Sequence, residues 1–257
     1  MTIRWIGDVA IISKERIEEV FKKKPSTKKI LKKEGNTEGE YRVPKYRVVY
    51  GKGMTEIIYR EEHCDLLFDI NKVHFSFSLS GERKRIAQEV NDEENILCLF
   101  AGVGPFPIVI TKKKKVRIVA VENNPDAFRY LLKNLEMNKL KGSVKALNID
   151  AEELFENDHE EKNSFDRVIA PAPKIGKNFA YLLIDAIKKE RKKKIYLYDF
   201  CRAEEIDFMK RLPWVVNVKK CGSYSPRVYR VCVEIDGGIY HESKNYSKLK
   251  LMGFHWL

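Results

Sequence analysis

The strongest hydrophobic signal along the chain is the run Ile96-Leu97-Cys98-Leu99-Phe100. A short unbroken apolar run bounded by turn residues reads as a strand buried on both faces. Val116 to Val121 reads as the next parallel strand, Val144 to Asp150 as a third and Arg167-Val-Ile as a fourth. Between the second and third, Phe128, Leu131, Leu132 and Leu135 recur at helical spacing. Asn124 followed by Pro125 marks that helix's start, a cap and then the residue suited to the first helical position. A further helix is expected over Ser80 to Val90. Strands alternating with helices predict an α/β unit, a parallel sheet covered on both faces.

The two ends differ from this middle. Residues 1–78 carry short strands, Val9–Ile12, Tyr46–Tyr50 and Thr55–Tyr59, around a basic helical segment from Lys14 to Lys33 interrupted at Pro25. That pattern predicts a small α+β domain. Residues 79–236 form the α/β domain, and its end reads as a β-hairpin, Val215 to Gly222 and Arg227 to Asp236 around Ser223-Tyr224-Ser225-Pro226. Residues 237–257 are a polar tail with Phe254 and Trp256 near its end, and no repeat runs through the chain.

Candidate chemistry lies where the strands stop. After the first strand, Phe100-Ala101-Gly102-Val103-Gly104 supplies two glycines, which allow a tight turn and close backbone approach to a ligand. The second strand ends on Glu122-Asn123, where a carboxylate in a doubly wound sheet grips the two ribose hydroxyls of a nucleotide cofactor. A strand exit without a ligand explains the glycines alone. The acid one strand away is what the simpler reading leaves over. Pro105-Phe106-Pro107 stands where a dinucleotide fold carries its third glycine, so a pyrophosphate is not expected. S-adenosylmethionine, which carries adenosine without phosphates, fits better, and in a methyltransferase sheet Asp150 would meet the adenine amino group.

Composition narrows the partners. Lys and Arg number 49 against 37 Asp and Glu, a net charge of +12, which favours a polyanion. A solvated lysine surface accounts for Lys112–Lys115 by itself, whereas the total excess points to nucleic acid. The five cysteines, Cys64, Cys98, Cys201, Cys221 and Cys232, show no Cys-x-x-Cys spacing. They predict neither a disulfide framework nor a metal site. With no membrane-length apolar run and no signal-peptide pattern, a cytoplasmic location is expected.

Several segments together resemble one family. They are Ile6–Ile11, Glu40-Tyr41-Arg42-Val43-Pro44, Thr55–Glu61, Lys72-Val73-His74-Phe75-Ser76 with Gly81-Glu82-Arg83, the glycine loop, Phe165–Ile169 with Pro171-Ala172-Pro173, and Ser223–Tyr229. In this order they resemble the archaeal and eukaryotic-type tRNA (guanine(37)-N(1))-methyltransferases and their wyosine-pathway relatives. The resemblance implies a class I, Rossmann-like methyltransferase fold ending in an antiparallel hairpin. It also implies S-adenosylmethionine as methyl donor and tRNA as substrate. Because the family's tRNA-elbow module is not seen before Ile6, the anticodon stem-loop is the expected contact, made by a monomer.

By the same resemblance Glu82 is the general base for the guanine N1 proton and Arg42 the cation facing O6, the two roles such chemistry needs. Without the family, Glu82-Arg83-Lys84-Arg85 reads as the charged face of a helix. The resemblance further implies cofactor contacts from His74, Ser76, Arg83, Phe100, Gly102, Gly104, Glu122, Asn123, Asp150, Ala151 and Pro171, with Arg83 on the methionine carboxylate. Pro171, Pro173 and Tyr224 are implied around the substrate base. Pro171 stands where relatives carry Asn, Cys98 where they carry Asp, and His74 where an aromatic ring is common. Pro171 points to the subgroup that also methylates the tricyclic precursor 4-demethylwyosine at C7. Two alternatives are an aminocarboxypropyl transferase of the same pathway, which shares the fold, and an inactive tRNA-binding protein. Gly104-Pro105-Phe106 favours methyl transfer, and retention of Glu82, Glu122 and Asp150 favours activity.

Overall fold

The computed structural model describes residues 3–38, 41, 43–53, 55–155, 162–171 and 180–242, without the side chains of 36–38, 180 and 181. Strands β1 (Arg4–Ile6) and β2 (Val9–Ile12) form a hairpin turning at Gly7, and helix α1 spans Ile17–Lys23. β3 (Lys29–Glu38) lies parallel to β2 and antiparallel to β4 (Val43–Tyr50), giving the sheet order β1-β2-β3-β4. The basic helix expected over Lys14–Lys33 therefore ends at Lys23, and its second half is strand. Pro25 blocks continuation, and the neighbours Ile30 and Leu31, both 0% exposed, need opposite faces. Ile30 packs under α1 with Ala10, Ile12 and Val20, while Leu31 joins the main core. Only a strand satisfies both.

β5 (Glu56–Glu61) and β6 (Cys64–Asp69) form a two-stranded ribbon whose turn, Glu62-His63, has positive φ at both residues. Cys64, Leu66 and Phe68 of β6 are buried in the same core as the α/β sheet. That sheet follows: a 3-10 turn at Phe77–Leu79, α2 (Ser80–Glu89), β7 (Asn95–Cys98), α3 (Pro105–Lys113), β8 (Arg117–Val121), α4 (Pro125–Met137) and β9 (Ser143–Leu147). After a 3-10 turn at Ala151–Phe155 come β10 (Arg167–Ala170), α5 (Ala180–Ala186), β11 (Lys194–Arg202), α6 (Ala203–Lys210), β12 (Val215–Ser225), β13 (Val228–Asp236) and α7 (Gly237–Glu242). The order is β12-β13-β11-β10-β7-β8-β9; β7 to β11 are parallel, and β13 runs antiparallel between β11 and β12. This is the class I methyltransferase arrangement with its terminal hairpin. Ile96 and Cys98 face α2, α3 and α4, whereas Leu97 and Leu99 face α5, α6 and α7, which is why the sequence shows a run and not an alternation.

Asn124 caps α4 as its position suggested, accepting from the amides of Asp126 and Ala127 at 2.9 and 3.3 Å. The buried stripe of α4 differs from expectation. Leu132 is 41% exposed, and Tyr130 and Asn134 take places on the inner face. Asn134 is fully buried because it completes the edge of β6: its Oδ1 accepts from the Leu67 amide at 2.7 Å, and its Nδ2 donates to the carbonyls of Leu67 and Val103, each at 3.0 Å. Asn138 repeats the device one turn later on Asp65. Asn134→Leu keeps the branched shape but orphans three backbone groups, the buried Val103 carbonyl and the part-buried amide and carbonyl of Leu67. It should lower unfolding free energy by about 3 kcal/mol or more, read from the urea midpoint. A midpoint within error of wild type would mean the ribbon is held by its apolar face alone.

The segment after β13 begins with α7. Within α7, Tyr240 packs edge-on against Trp214 at 5.5 Å, and Gly238 is needed because a Cβ there would come 2.4 Å from the Arg191 amide nitrogen. Among the described residues no helix is long and apolar enough to cross a membrane, and no cluster of metal-ligating side chains occurs.

Candidate active site

β7 stops at Cys98 because the next residues leave extended geometry. Phe100, Gly102 and Gly104 all have positive φ, at 52°, 57° and 88°. For Phe100 that backbone costs on the order of 1–3 kcal/mol, which neighbouring structure must offset. The offset is visible: the Leu99 amide donates to the Ile169 carbonyl at 3.0 Å and that of Ala101 to Val121 at 2.9 Å, anchoring the loop to the strands on either side. Gly104 opens α3, and a Cβ there would lie 2.4 Å from Leu131 Cδ1. At Gly102 a Cβ would meet nothing within 4 Å, so this glycine serves conformation and leaves the space above the loop open.

Glu122 follows β8 and reaches under that loop. Its Oε2 accepts from the Gly102 amide at 2.7 Å and its Oε1 from the Asn124 amide at 2.9 Å. The side chain is buried, burial pushes its carboxyl up, and no ion pair to it occurs among the described residues. Each oxygen receives one N–H and keeps capacity for another donor. A buried carboxylate with two such acceptors, beside an open glycine loop, fits a vicinal diol. Asn123 is exposed beside it; Asp150, partly exposed past β9, accepts from the Glu152 amide at 3.0 Å and starts the turn that buries Ala151. Cys98 is fully buried within β7, where burial and the nearby Glu122 charge hold its thiol protonated, so this position is core.

The second half of the site forms where α2 crosses β11, β13 and β12. Glu82 lies in the first turn of α2, 4% exposed. Its carboxylate accepts from Arg85 Nη2 at 2.6 Å, Lys219 Nζ at 3.0 Å and the Tyr198 hydroxyl at 3.1 Å. Burial pushes the carboxyl up, but the hydrogen bonds from Arg85 and Lys219 outweigh it and hold the group below the usual glutamate range. Arg85 is itself fixed by Glu89 at 2.7 Å and Glu234 at 2.6 Å. Glu82 is therefore an ionised carboxylate at neutral pH in a preset orientation. Because its folded value is depressed, its contribution to stability is complete above the unfolded value near 4.5 and is lost as pH falls through the lower folded value. Lys219→Met removes one cation, so Glu82 should titrate at higher pH and the acid limb of any rate it controls should move upward. An unmoved limb would show that Lys219 does not act on Glu82.

Arg83 departs from expectation. It is 1% exposed, its Nε and Nη2 bind the two carboxylate oxygens of Glu61, and its Nη1 donates to the Ser76 carbonyl at 3.0 Å. The carboxylate it meets is thus internal, and the pair ties α2 to β5. Ser76 sits just before the 3-10 turn, its hydroxyl accepting from Arg230 Nη1 at 2.8 Å; His74 is exposed two residues earlier. Pro171 follows β10 and is partly exposed. Tyr224 is 58% exposed near the tip of the β12–β13 hairpin, with its ring 5.0 Å from that of Phe200. Arg42 and Pro173 lie outside the described residues. Sequence reasoning missed Tyr198, Phe200, Lys219 and Arg230, which come from β11 to β13. Arg85 alone carried a local signal, three residues after Glu82 on one helix face.

Residues 57–222 match the model of the TRM5/TYW2 methyltransferase domain. The chain is 31% identical over 260 residues, 80% of its length and 86% of the relative's, to a tRNA (guanine(37)-N(1))/4-demethylwyosine(37)-methyltransferase of Nanoarchaeum equitans. It is 37% identical over 168 residues, 64% of its length and 65% of the relative's, to a tRNA(Phe) (4-demethylwyosine(37)-C(7)) aminocarboxypropyltransferase of Methanocaldococcus jannaschii. The solved structure of M. jannaschii TYW2 in complex with AdoMet superposes with a TM-score of 0.69 at 26% identity, over 91% of this chain and 98% of that one. A glycine loop over a buried acid, the class I strand order and these likenesses converge: the chain belongs to the TRM5/TYW2 methyltransferase family.

Proposed function

We propose that this protein transfers the methyl group of S-adenosylmethionine to N1 of guanosine at position 37 of tRNA, and to C7 of 4-demethylwyosine at the same position. The observation that carries the reading is Glu82, a buried carboxylate kept ionised and oriented at the head of α2. Methylation at N1 requires removal of the N1 proton while charge builds on O6. Glu82 accepts that proton once Lys219, the partner with 44% of its side chain exposed, turns away. Tyr198 and Arg85 stay on the carboxylate and keep it aimed. Arg42 is proposed for O6. The bound cofactor supplies an electrophilic methyl on a sulfonium. Glu122 holds its ribose, the Gly102–Gly104 loop lets it lie close to the backbone, and Asp150 with Ala151 borders the adenine. The basic surface meets the phosphates of the anticodon stem-loop.

The second substrate rests on Pro171. An Asn there would aim an amide at one hydrogen-bonding edge, whereas proline offers ring surface and a carbonyl. An apolar wall of this kind accepts guanine and the tricycle alike, in keeping with the two substrates in the name of the N. equitans relative. Purified protein given tRNA with either guanosine or 4-demethylwyosine at position 37 should methylate both, as identified by mass spectrometry of the nucleosides. Modification of guanosine alone would remove the role of Pro171. The likeness to the M. jannaschii aminocarboxypropyltransferase favours a second reading, transfer of the larger arm to the tricycle. In that case the tricycle gains an aminocarboxypropyl group and guanosine stays unmodified. An inactive binding protein, the third possibility, would modify neither.

A further inference from the structure

Arg230 lies in β13 directly opposite Phe200 of β11, 9% exposed. Its Nη1 donates to Ser76 Oγ at 2.8 Å, and the guanidinium carbon sits 5.3 Å from the centroid of the Phe200 ring. Its Nε is buried without a hydrogen-bond partner, and no ion pair to Arg230 occurs among the described residues. Burial, the largest influence, lowers the hold of this guanidinium on its proton; the positive charge of Arg83 acts in the same direction and the Asp199 carboxylate against it. A buried cation with an idle donor and no carboxylate paired to it is unfavourable by itself. Such a group persists where a ligand brings the missing anion.

Its place narrows the ligand. Phe200 is near the carboxyl end of β11, the end of an open α/β sheet at which ligands bind. Ser76 precedes α2 on the segment that also anchors Arg83 through its carbonyl. The methionine arm of S-adenosylmethionine ends in a carboxylate, and a guanidinium is its natural partner. Arg83, the residue expected there from sequence, has three donor nitrogens occupied and is closed off from solvent. We propose that Arg230, held by Ser76, receives the carboxylate of the cofactor's amino-acid arm. The assignment rests on the methyl-donor reading above and names the residue that completes it.

Calorimetry on the full chain with two ligands tests this. S-adenosylhomocysteine carries the amino-acid arm, and 5′-methylthioadenosine keeps the adenosine and sulfur without it. Arg230→Gln should weaken S-adenosylhomocysteine about 10- to 100-fold while leaving 5′-methylthioadenosine within about 2-fold. Arg230→Lys, which keeps the charge, should recover part of the loss. Equal losses for both ligands would assign Arg230 to structure, and no loss, or a loss confined to tRNA binding, would assign it elsewhere; each overturns the proposal. Wild-type protein that binds both ligands while Arg230→Gln binds them equally well overturns this inference alone. Wild-type protein that binds neither overturns the methyl-donor reading and this inference together.

Discussion

Glu82→Gln should lower the single-turnover methylation rate by roughly two to four powers of ten, the usual contribution of a positioned general base. The substitution keeps the size of the side chain and removes its charge. Arg85 retains Glu89 and Glu234 as partners, so the crossing of α2 over β13 should survive. Cofactor affinity should therefore stay near wild type while the chemical step fails, the signature of an interaction made in the transition state. The control is the thermal midpoint, since Tyr198 and Lys219 also lose a charged acceptor. A folded variant with near-wild-type single-turnover rate would remove Glu82 from the mechanism. Glu82 would then be an ion-pair anchor and no more.

Glu122→Ala should act on the other half of the site, weakening S-adenosylmethionine by about 1.5–3 kcal/mol, which is roughly 10- to 150-fold in Kd. Two losses combine. The ribose hydroxyls lose a charged acceptor, and the amides of Gly102 and Asn124 lose the group that fixes the loop beneath the ligand. Glu122→Gln separates them, because a carboxamide keeps one acceptor oxygen. It should fall between wild type and alanine. Unchanged affinity in both variants would make Glu122 a purely structural acid.

The glycine loop, Glu122 and the cap at Asn124 were legible in sequence because each is a local event. A turn needing positive φ or a helix start leaves its mark within a few residues. The run Ile96–Phe100 announced a doubly covered strand for the same reason. Elsewhere local pattern misled. Lys29–Lys33 has helical composition, yet Ile30 and Leu31 serve two different cores, a demand set by packing against α1 and the main body. Leu132 kept helical spacing but faces solvent, because the inner face of α4 is given to Asn134 and its backbone partners. Arg83 was recognised as important, but its internal partner was not: Glu61, 22 residues away on β5, takes its fork. Arg230 had no local mark at all, being one cation in an alternating strand whose contact with Ser76 spans 154 residues. Clusters assembled from distant strands are where sequence reading loses resolution.

The central claim is that a methyl group, and not the larger arm of the cofactor, reaches N1 of guanosine. The most direct measurement supplies tRNA bearing guanosine at position 37 with S-adenosylmethionine labelled isotopically in its methyl group, followed by digestion and mass spectrometry. The expected result is the label in 1-methylguanosine, absent when that guanosine is replaced. Label left in 5′-methylthioadenosine with an aminocarboxypropyl adduct on the tRNA, or left in S-adenosylmethionine with no adduct, would contradict it.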